Sequence, residues 1–393
     1  MHIKRFNTYF ETMFTEHIPT EVVLFFILYG ITGVMPFFAA VYLLLRRGNA
    51  FAPNVTPPVR LRRWAAAFFA VAALGHVWWY LFYAYSGNIH SEHDLLHSPA
   101  YVLVVMLDSV TLLTTIAGTL LAMLQDRQRP IWPAFAAMTP LVVMGALQIR
   151  DPDGPFMNIA GIYLLSLYVL FSVYMVFAVR RYGQWLNDNY ADLENKKVWL
   201  TLVVSLVCLL LLILYALGDV DTLLIYGLHF VELILFSLLL WRVETLPQLE
   251  EPLAVEEACT ASAPETSQEP TVNSQLFNLP SNIEQQLAEH CMGTQLYLQH
   301  DLTLQQLAQA IGTNRSYLSL YFSRQGITYN AYINDLRIDH FVRLYRAAVA
   351  AHQPVVAQQL ASDSGYRSYS TFSLAFKQRM GQSVTAWMRD TAK

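Results

Sequence analysis

The stretch LTLQQLAQAIGTNRSYLSLYFSRQG, residues 302–326, has the pattern of two short helices joined by a tight turn. Thr303 is placed to cap the first helix, Gly312 to make the turn, and Asn314 to cap the second. Apolar residues recur at helical spacing on both sides of the turn, namely Leu304, Leu307, Ala308, Ile311, Leu318 and Phe322. The pattern predicts a helix-turn-helix whose helices pack through those side chains.

The same pattern returns about 54 residues later, in QQLASDSGYRSYSTFSLAFKQRMG at residues 358–381. In this second copy, SLAF at 373–376 corresponds to SLYF at 319–322. The stretch between the copies, YNAYINDLRIDHFVRLYRAA, has the spacing of one longer helix. A single motif of this kind arises by chance in many helical proteins, but two at this separation are far more specific. We predict an all-helical C-terminal domain over residues 281–393.

This double motif resembles the AraC/XylS family of transcription regulators over residues 281–390. The matching pieces are LTLQQLA, GTNRSYLS, the LRI at 336–338 and GYRSYSTFSLAFKQRMG. The GTNRSYLS piece is similar to the form common in Bacteroidetes members. The resemblance implies two subdomains that insert their second helices into successive major grooves of double-stranded DNA. It does not extend to the sugar-binding barrel usual in the family, so it implies no ligand.

Four positions depart from the family pattern. Leu320 and Leu374 stand where many members place a basic residue on each recognition helix. Phe341 replaces a usual small residue on the connecting helix, and Val384 stands in place of a usual proline. The two leucines leave open which bases this domain reads.

Candidate DNA-contacting residues follow from helix geometry near the starts of the two second helices. The candidate base-reading residues are Arg315, Ser316 and Ser319 in the first helix and Tyr369, Ser370 and Ser373 in the second. Leu320 and Leu374 are candidates for contact with thymine methyl groups. The candidates for phosphate contacts, which position a protein without reading sequence, are Arg324, Arg367, Lys377 and Arg379. Residues 301–393 carry ten basic and five acidic side chains, and this modest excess suits DNA. The alternative is that these side chains are merely solvated faces of a helical domain.

An acidic stretch precedes this domain. From Val243 to Asn314 there are ten acidic residues and no Lys or Arg, and residues 243–280 are rich in Pro, Ser, Thr and Glu. Such a composition cannot offset the entropy of ordering, so it predicts a disordered linker. A coil of this length has a mean span of about 35 Å and transmits little torque. The sequence therefore favours control of dimerisation over a rigid lever, with proteolytic release at the linker as the next alternative.

Upstream of the linker lie seven nearly uncharged runs, each about the 17 to 25 residues that a helix needs to cross a membrane. They are Val22–Leu45, Trp64–Tyr85, Ala100–Leu124, Ile131–Ile149, Met157–Val179, Val198–Leu217 and Leu223–Trp241. Over the whole chain 14% of residues are charged, well below the roughly 25% of a soluble domain. We predict an all-α protein with a seven-helix transmembrane bundle over residues 22–242.

Lys and Arg predict the orientation of the bundle, because cytoplasmic loops retain the positive charges. One set of loops holds twelve: Arg46, Arg47, Arg60, Arg62, Arg63, Arg127, Arg129, Arg180, Arg181, Lys196, Lys197 and Arg242. The other set holds three: Lys4, Arg5 and Arg150. This places residues 1–21 outside and the C-terminal domain in the cytoplasm of a bacterial inner membrane. The three cysteines, Cys208, Cys259 and Cys291, fall in three different segments and predict no disulfide framework.

Four ionisable residues lie within the predicted spans: His76, Asp108, His229 and Glu232. Buried ionisable groups are costly in a membrane and are therefore functional candidates. Counted along their helices, the four share a layer in the outer half of the bundle. They form either a sensing pocket open to the outside or a set of interhelical hydrogen bonds that only fix packing.

The predicted outer loop NIHSEHDLLHSP contains His90, His93 and His97 beside Glu92 and Asp94. This spacing could ligate zinc or copper, although histidines in such loops are more often simply solvated. We expect no metal, no cofactor and no enzymatic activity.

Two classes of function are compatible with the sequence. The first is a membrane-bound one-component transcription regulator, in which the transmembrane domain senses a signal and the cytoplasmic domain binds DNA. The second is a transporter or membrane enzyme with a regulatory DNA-binding tail. The sequence favours the first, because we find no repeat or broken helix pair typical of many transporters. The expected partners are double-stranded DNA, membrane lipid, RNA polymerase and an unidentified small-molecule or membrane signal, with a homodimer left open.

Overall fold

The computed structural model describes residues 20–46, 49–53, 55–86, 94, 97–194, 196–217, 222–249 and 283–391. Within these ranges every regular element is a helix, and one isolated antiparallel bridge joins Tyr190 to Thr303. The chain divides into two compact units. Unit 1 comprises residues 1–180 and 198–251, and unit 2 comprises residues 181–197 and 252–393.

The described part of unit 1 contains a helix at each predicted apolar run. These helices are α1 Thr20–Leu45, α2 Val59–Ser86, α3 Pro99–Ala122, α4 Trp132–Arg150, α5 Phe156–Asn189, α6 Trp199–Leu217 and α7 Thr222–Thr245. Six of them contain a stretch long and apolar enough to cross a membrane. The corresponding stretch of α6 among the described residues, Trp199–Ile213, is shorter. The prediction of an all-helical chain with apolar helices before the C-terminal domain is confirmed.

Small residues bring neighbouring helices of unit 1 close together. A Cβ atom at Gly118 of α3 would lie 2.3 Å from the Trp64 ring of α2, and one at Gly145 of α4 would lie 2.5 Å from the Met106 side chain of α3. Large apolar side chains such as Phe38 remain 63% exposed on the outer faces of these helices. Large side chains packed against glycines inside and an apolar surface outside are compatible with helices packed in lipid.

Helices α1 and α7 run in the same direction. Thr32 of α1 lies 3.3 Å from His229 of α7, and further along both helices the Tyr42 hydroxyl donates to the Glu244 carboxylate at 2.7 Å. The C-terminal ends of α1 and α7 therefore lie at the same end of unit 1.

The loops that follow α1, α3 and α7 also meet at that end. The backbone N–H of Gln248 donates to the carbonyl of Thr56 at 2.8 Å. The side chain of Gln125 donates to the carbonyl of Pro247 at 3.0 Å and accepts from the backbone of Leu249 at 2.9 Å. Of the twelve positive charges counted above, four fall in the sequence after α1 and after α3, namely Arg46, Arg47, Arg127 and Arg129, and three more, Arg60, Arg62 and Arg63, lie at the start of α2.

The last helix of unit 1 extends past Val243, the predicted first residue of the acidic linker. Helix α7 continues to Thr245, and Val243, Leu246 and Leu249 are buried against unit 1. Burial of these apolar side chains favours their packing against the helices of unit 1. The remainder of the predicted linker, residues 250–280, lies outside the described residues.

Unit 2 contains the two predicted helix-turn-helix motifs. Its elements after the linker are α8 Ile283–Gln286, which continues as a wider turn over Leu287–Gly293, a short 3₁₀ turn at Leu296–Leu298, α9 Leu304–Ala310, α10 Arg315–Arg324, α11 Tyr329–Ala350, α12 Ala357–Asp363, α13 Tyr369–Met380 and α14 Val384–Thr391. The first motif is α9 and α10, and the second is α12 and α13. Helix α11 connects them, as its spacing predicts.

Each motif has its own apolar core. The first core gathers the predicted inward-facing residues, including Leu307, Leu318 and Phe322. In the second, Phe341 is fully buried and its ring centroid lies 4.5 Å from that of Phe372. Val384 is also buried there and begins α14. Two of the departures from the family pattern therefore serve packing.

Residues 181–197 comprise the last turns of α5, up to Asn189, and the stretch that leads towards α6, and we call them the α5–α6 segment. The sequence assigned them to the transmembrane domain, but they pack with unit 2. Ala191 is part of the first core, and its backbone N–H donates to the carbonyl of Leu302 at 3.1 Å. The predicted boundary of the C-terminal domain at residue 281 therefore leaves out a contributing piece of chain.

Candidate nucleic-acid interface

Helices α10 and α13 start with the same local chemistry. The Asn314 side chain accepts from the backbone N–H of Tyr317 at 2.8 Å, and the Ser368 side chain accepts from that of Thr371 at 3.3 Å. Each side chain satisfies a backbone donor that the first helical turn leaves free. The turn before α13 needs glycine, because Gly365 has a φ of +87° and a Cβ there would lie 2.8 Å from the Leu298 backbone. These constraints fix where both helices begin.

Most of the predicted base-reading residues face solvent. Ser316 and Ser319 of α10 are exposed, as are Tyr369, Ser370 and Leu374 of α13. Leu320 and Ser373 are partly buried. The exposed Leu374 retains the apolar surface that a thymine methyl group could contact.

Arg315, the first residue of α10, is already engaged. Its Nε and Nη2 atoms donate to the Asn189 Oδ1 atom at 2.9 and 2.6 Å. Burial lowers the pKa of the Arg315 guanidinium, an effect that the nearby Tyr190 opposes. The predicted reader therefore lies against the α5–α6 segment of its own unit.

The predicted phosphate contacts divide into two groups. Arg324 and Lys377 are exposed. Arg367 is also exposed, but its Nη1 atom lies 3.0 Å from Asp301. Arg379 forms ion pairs with Asp335 at 3.2 Å and Asp339 at 2.9 Å. Arg379 is also exposed, and its two ion pairs join α13 to α11; its contact with phosphate stays a prediction.

Arg337 of the LRI motif is fully buried, and three acceptors hold it. Its guanidinium donates to the carbonyls of Tyr297 and Gln299, each at 2.7 Å, and to the Asp192 Oδ1 atom at 3.1 Å. The Asp192 carboxylate is 5% exposed, so the pair is a buried salt bridge. A segment remote in sequence thus supplies the carboxylate for a buried charge in the C-terminal domain.

Asp301 joins the α5–α6 segment to the second motif. Its carboxylate lies 2.9 Å from Lys196 and 3.0 Å from Arg367. Its backbone N–H donates to the other Asp192 oxygen, Oδ2, at 2.8 Å. Burial alone would raise the pKa of Asp301, but the hydrogen bond from Lys196 and the charges of Lys196 and Arg367 outweigh it and lower that pKa.

Sequence reasoning missed Asn189, Asp192, Glu194 and Lys196. Glu194 lies near the start of α13, where its Oε2 atom is 3.5 Å from the Thr371 hydroxyl. One signal could have drawn attention to these residues, namely the acidic stretch NDNYADLEN inside a loop that was counted for its positive charges. No pattern within this stretch predicts which residues of the C-terminal domain it contacts.

A family comparison agrees with this geometry. Residues 307–390 match the model of a helix-turn-helix domain family. The match supports an AraC-type DNA-binding domain over these residues. The match covers the second helix of each motif in the AraC-type domain and the connecting helix between them. No curated protein and no solved structure matches the chain.

Unit 1 contains a separate polar cluster that includes three of the four predicted ionisable residues. The Thr32 hydroxyl lies 3.1 Å from the His76 Nε2 atom and 3.3 Å from the His229 Nδ1 atom. His229 Nδ1 also lies 3.2 Å from the Glu232 carboxylate. The four residues connect α1, α2 and α7. Thr32, which bridges the two histidines, was not predicted, since a lone threonine in an apolar helix has no distinctive pattern.

Asp108, the fourth predicted residue, accepts from the Trp79 ring nitrogen at 3.5 Å. It packs against α2 at Gly75, where a Cβ would lie 3.0 Å from its Oδ1 atom. The residue before His76 is thus in contact with Asp108.

The candidate metal loop is only partly described. His90, Glu92 and His93 lie outside the described residues, which leaves the proposed zinc or copper site as a prediction. Among the residues that are described, no group of three or more His, Cys, Asp or Glu side chains could hold a metal ion. Cys208 and Cys291 are free and buried, and Cys259 falls in the part that is not described.

Proposed function

We propose that the protein is a membrane-bound one-component transcription regulator. A signal acts on the transmembrane helices of unit 1, and the AraC-type domain of unit 2 binds specific DNA sequences in the cytoplasm. The observation that carries the proposal is the presence on one chain of apolar helices of membrane-spanning length and two helix-turn-helix motifs with exposed second helices.

The arrangement of unit 1 supports the proposed orientation. Helices α1 and α7 run in the same direction, as the first and last of seven crossings must. The loops after α1, α3 and α7 meet at one end of the unit, and those loops carry Arg46, Arg127 and Arg129. Positive charges at that end of unit 1 favour its location in the cytoplasm. The DNA-binding domain, which follows α7 in the sequence, would then lie in the cytoplasm as well.

The polar cluster of unit 1 is our candidate for the sensing site. His76, His229 and Glu232 converge on Thr32 from three helices, so a change at the cluster can alter how α1, α2 and α7 pack. Polar contacts of this kind between transmembrane helices contribute to helix association. The alternative role of the cluster is packing alone. We also propose that an unidentified signal acts at this site. Contact with RNA polymerase, binding of membrane lipid and formation of a homodimer are further parts of the proposal.

The second candidate function is a transporter or membrane enzyme with a regulatory DNA-binding tail. The partly buried polar cluster of unit 1 is the observation that would suit it. Measuring uptake or turnover would test this alternative only after a substrate is known, whereas DNA occupancy can be tested now.

Crosslinking the intact protein to the chromosome in its native host, followed by sequencing of the bound DNA, tests the proposed function. We expect discrete sites that share a sequence with two half-sites about one helical turn apart. A reporter fused after Arg242 should behave as cytoplasmic, and one inserted at Asn88 as external. An external signal from the fusion after Arg242 would contradict DNA binding by the attached domain.

A further inference from the structure

The α5–α6 segment has the sequence RYGQWLNDNYADLENKK; its first nine residues form the end of α5, and the chain continues from its last residue into α6. Three of its polar side chains are buried, unlike those of a solvated surface loop. Asn189 is 8% exposed, Asp192 4% and Lys196 7%, and each hydrogen-bonds to residues of unit 2. The segment is therefore held on a specific surface.

That surface includes the start of the first recognition helix. Asn189 accepts two hydrogen bonds from Arg315, which is the first residue of α10 and the only cation among the predicted base-reading residues. An arginine reads guanine by presenting the same donors to two acceptors on the base edge. While Arg315 donates to Asn189 through Nε and Nη2, this pair of donors is not free to bind a base.

The surface extends to the second recognition helix. Glu194 places a carboxylate 3.5 Å from the Thr371 hydroxyl in the first turn of α13. Helix N-terminal ends on DNA-binding proteins commonly face phosphates, which a carboxylate would repel. Close to the same helix, Asp301 pairs with Arg367 and is itself held by Lys196 and Asp192 of the segment.

We propose that the α5–α6 segment is an autoinhibitory element that competes with DNA for the recognition surface of unit 2. The inference rests on the proposed DNA-binding function. Asp192, through its buried bond to Arg337, anchors the segment, while Asn189 and Glu194 mask the starts of α10 and α13. DNA binding requires these two side chains to move aside. Both ends of the segment are continuous with predicted transmembrane helices. A change in α5 or α6 can therefore move Asn189 and Glu194 without involving residues 243–280.

The contact between Asn189 and Arg315 has a strength that suits a reversible switch. Asn189 is a neutral acceptor, so its bonds to Arg315 are weaker than those of a carboxylate would be. A guanine edge or a phosphate can replace it at modest cost. An aspartate at this position would hold Arg315 more tightly and keep the domain masked.

The test uses the full-length protein in lipid nanodiscs and duplexes that it selects from a random-sequence library. Asn189→Ala removes the acceptor and should tighten DNA binding about tenfold, the scale of one or two hydrogen bonds. Asn189→Asp should weaken binding by a similar factor. In an Arg315→Ala background, Asn189→Ala should no longer tighten binding, because the two residues act as a pair.

Gln184 supplies matched controls, since it is exposed on the same segment. Gln184→Ala removes an amide without freeing Arg315, and Gln184→Glu adds a negative charge without holding it. Both should bind DNA within about twofold of the wild type. Equal or weaker binding by Asn189→Ala would overturn the autoinhibitory role, as would an Asn189→Asp effect no larger than that of Gln184→Glu. If neither the wild type nor any variant binds a duplex, the proposed function fails and this inference falls with it.

Discussion

Arg337 and Asp192 form a buried salt bridge at 3.1 Å although 145 positions separate them in the chain. The guanidinium is fully buried and donates to two backbone carbonyls besides the carboxylate. Removing one partner of such a pair leaves an uncompensated buried charge, which costs far more than an exposed pair contributes. The integrity of the AraC-type domain therefore depends on a residue that lies between two predicted transmembrane helices.

Asp192→Ala should lower the free energy of unfolding of unit 2 by about 3 to 5 kcal/mol. Hydrogen exchange of peptides from α11 in the full-length protein would measure it. Adding Arg337→Met should recover much of the loss, because it removes the unpaired charge. Asp188→Ala, at an exposed position one turn earlier, is the control and should change little. A double variant as unstable as Asp192→Ala would contradict this account.

A fragment of residues 281–393 should be less stable than the same fragment fused through a flexible linker to residues 184–197. The isolated fragment lacks both Asp192 and the core residue Ala191. We expect its Tm to be lower by several degrees, since 1 kcal/mol shifts the Tm of a domain of this size by about 4–8 °C. Arg337→Met should raise the Tm of the fragment alone. Equal Tm values for fragment and fusion would show that the segment adds nothing.

Asp301→Asn should destabilise unit 2 in a pH-dependent manner. The folded pKa of Asp301 lies below its ordinary value, so its charge stabilises the fold above the unfolded pKa of about 3.9. That contribution is lost as the pH falls through the folded pKa. The Tm difference between wild type and variant should therefore stay constant from about pH 7 to about pH 5 and shrink as the pH falls further to about pH 3. A difference that stays constant down to about pH 3 would show that the charge of Asp301 is not involved.

Ser319 and Lys377 should affect DNA binding in different ways. Ser319→Ala should change which sequence is preferred, by about 1 to 3 kcal/mol for a lost base contact. Lys377→Ala should weaken binding to all sequences alike and reduce the salt dependence by about one unit of slope. Arg379→Ala is the comparison, because its ion pairs with Asp335 and Asp339 occupy it. Titrations at several salt concentrations with selected and scrambled duplexes would distinguish the three variants. If the salt dependence falls as far for Arg379→Ala as for Lys377→Ala, Arg379 contacts phosphate after all.

Thr32→Val should alter transcription of the target genes without altering the amount of protein in the membrane. The change removes the hydroxyl that bridges His76 and His229 and leaves the shape of the side chain nearly unchanged. Thr115→Val is a matched control in α3, because the Thr115 hydroxyl donates only to carbonyls of its own helix in the described contacts. Transcript levels and membrane abundance, measured together, would check both variants. An identical response in wild type and Thr32→Val would leave the cluster a packing feature.

The local features of this protein could be predicted from the sequence. Apolar runs of membrane-spanning length coincide with α1 to α7, and the spacing of Leu307, Leu318 and Phe372 predicts the two helix-turn-helix motifs. Such patterns reside within one or two turns of helix, where each residue's environment depends on near neighbours. The capping roles of Thr303 and Asn314 are confirmed for the same reason.

Only the tertiary structure decided what the candidate sites contact. The sequence identified Arg315 as a DNA reader and counted residues 181–197 as a positively charged loop, but it could not show that Asn189 holds Arg315. Likewise, nothing near Arg337 predicts that Asp192 neutralises it, and nothing near His76 points to Thr32. These contacts join residues that are 44 to 145 positions apart. Contacts between residues so far apart in the chain produce no repeating pattern in the sequence. Their partners are selected by shape, charge and hydrogen bonding, and only after the helices have packed.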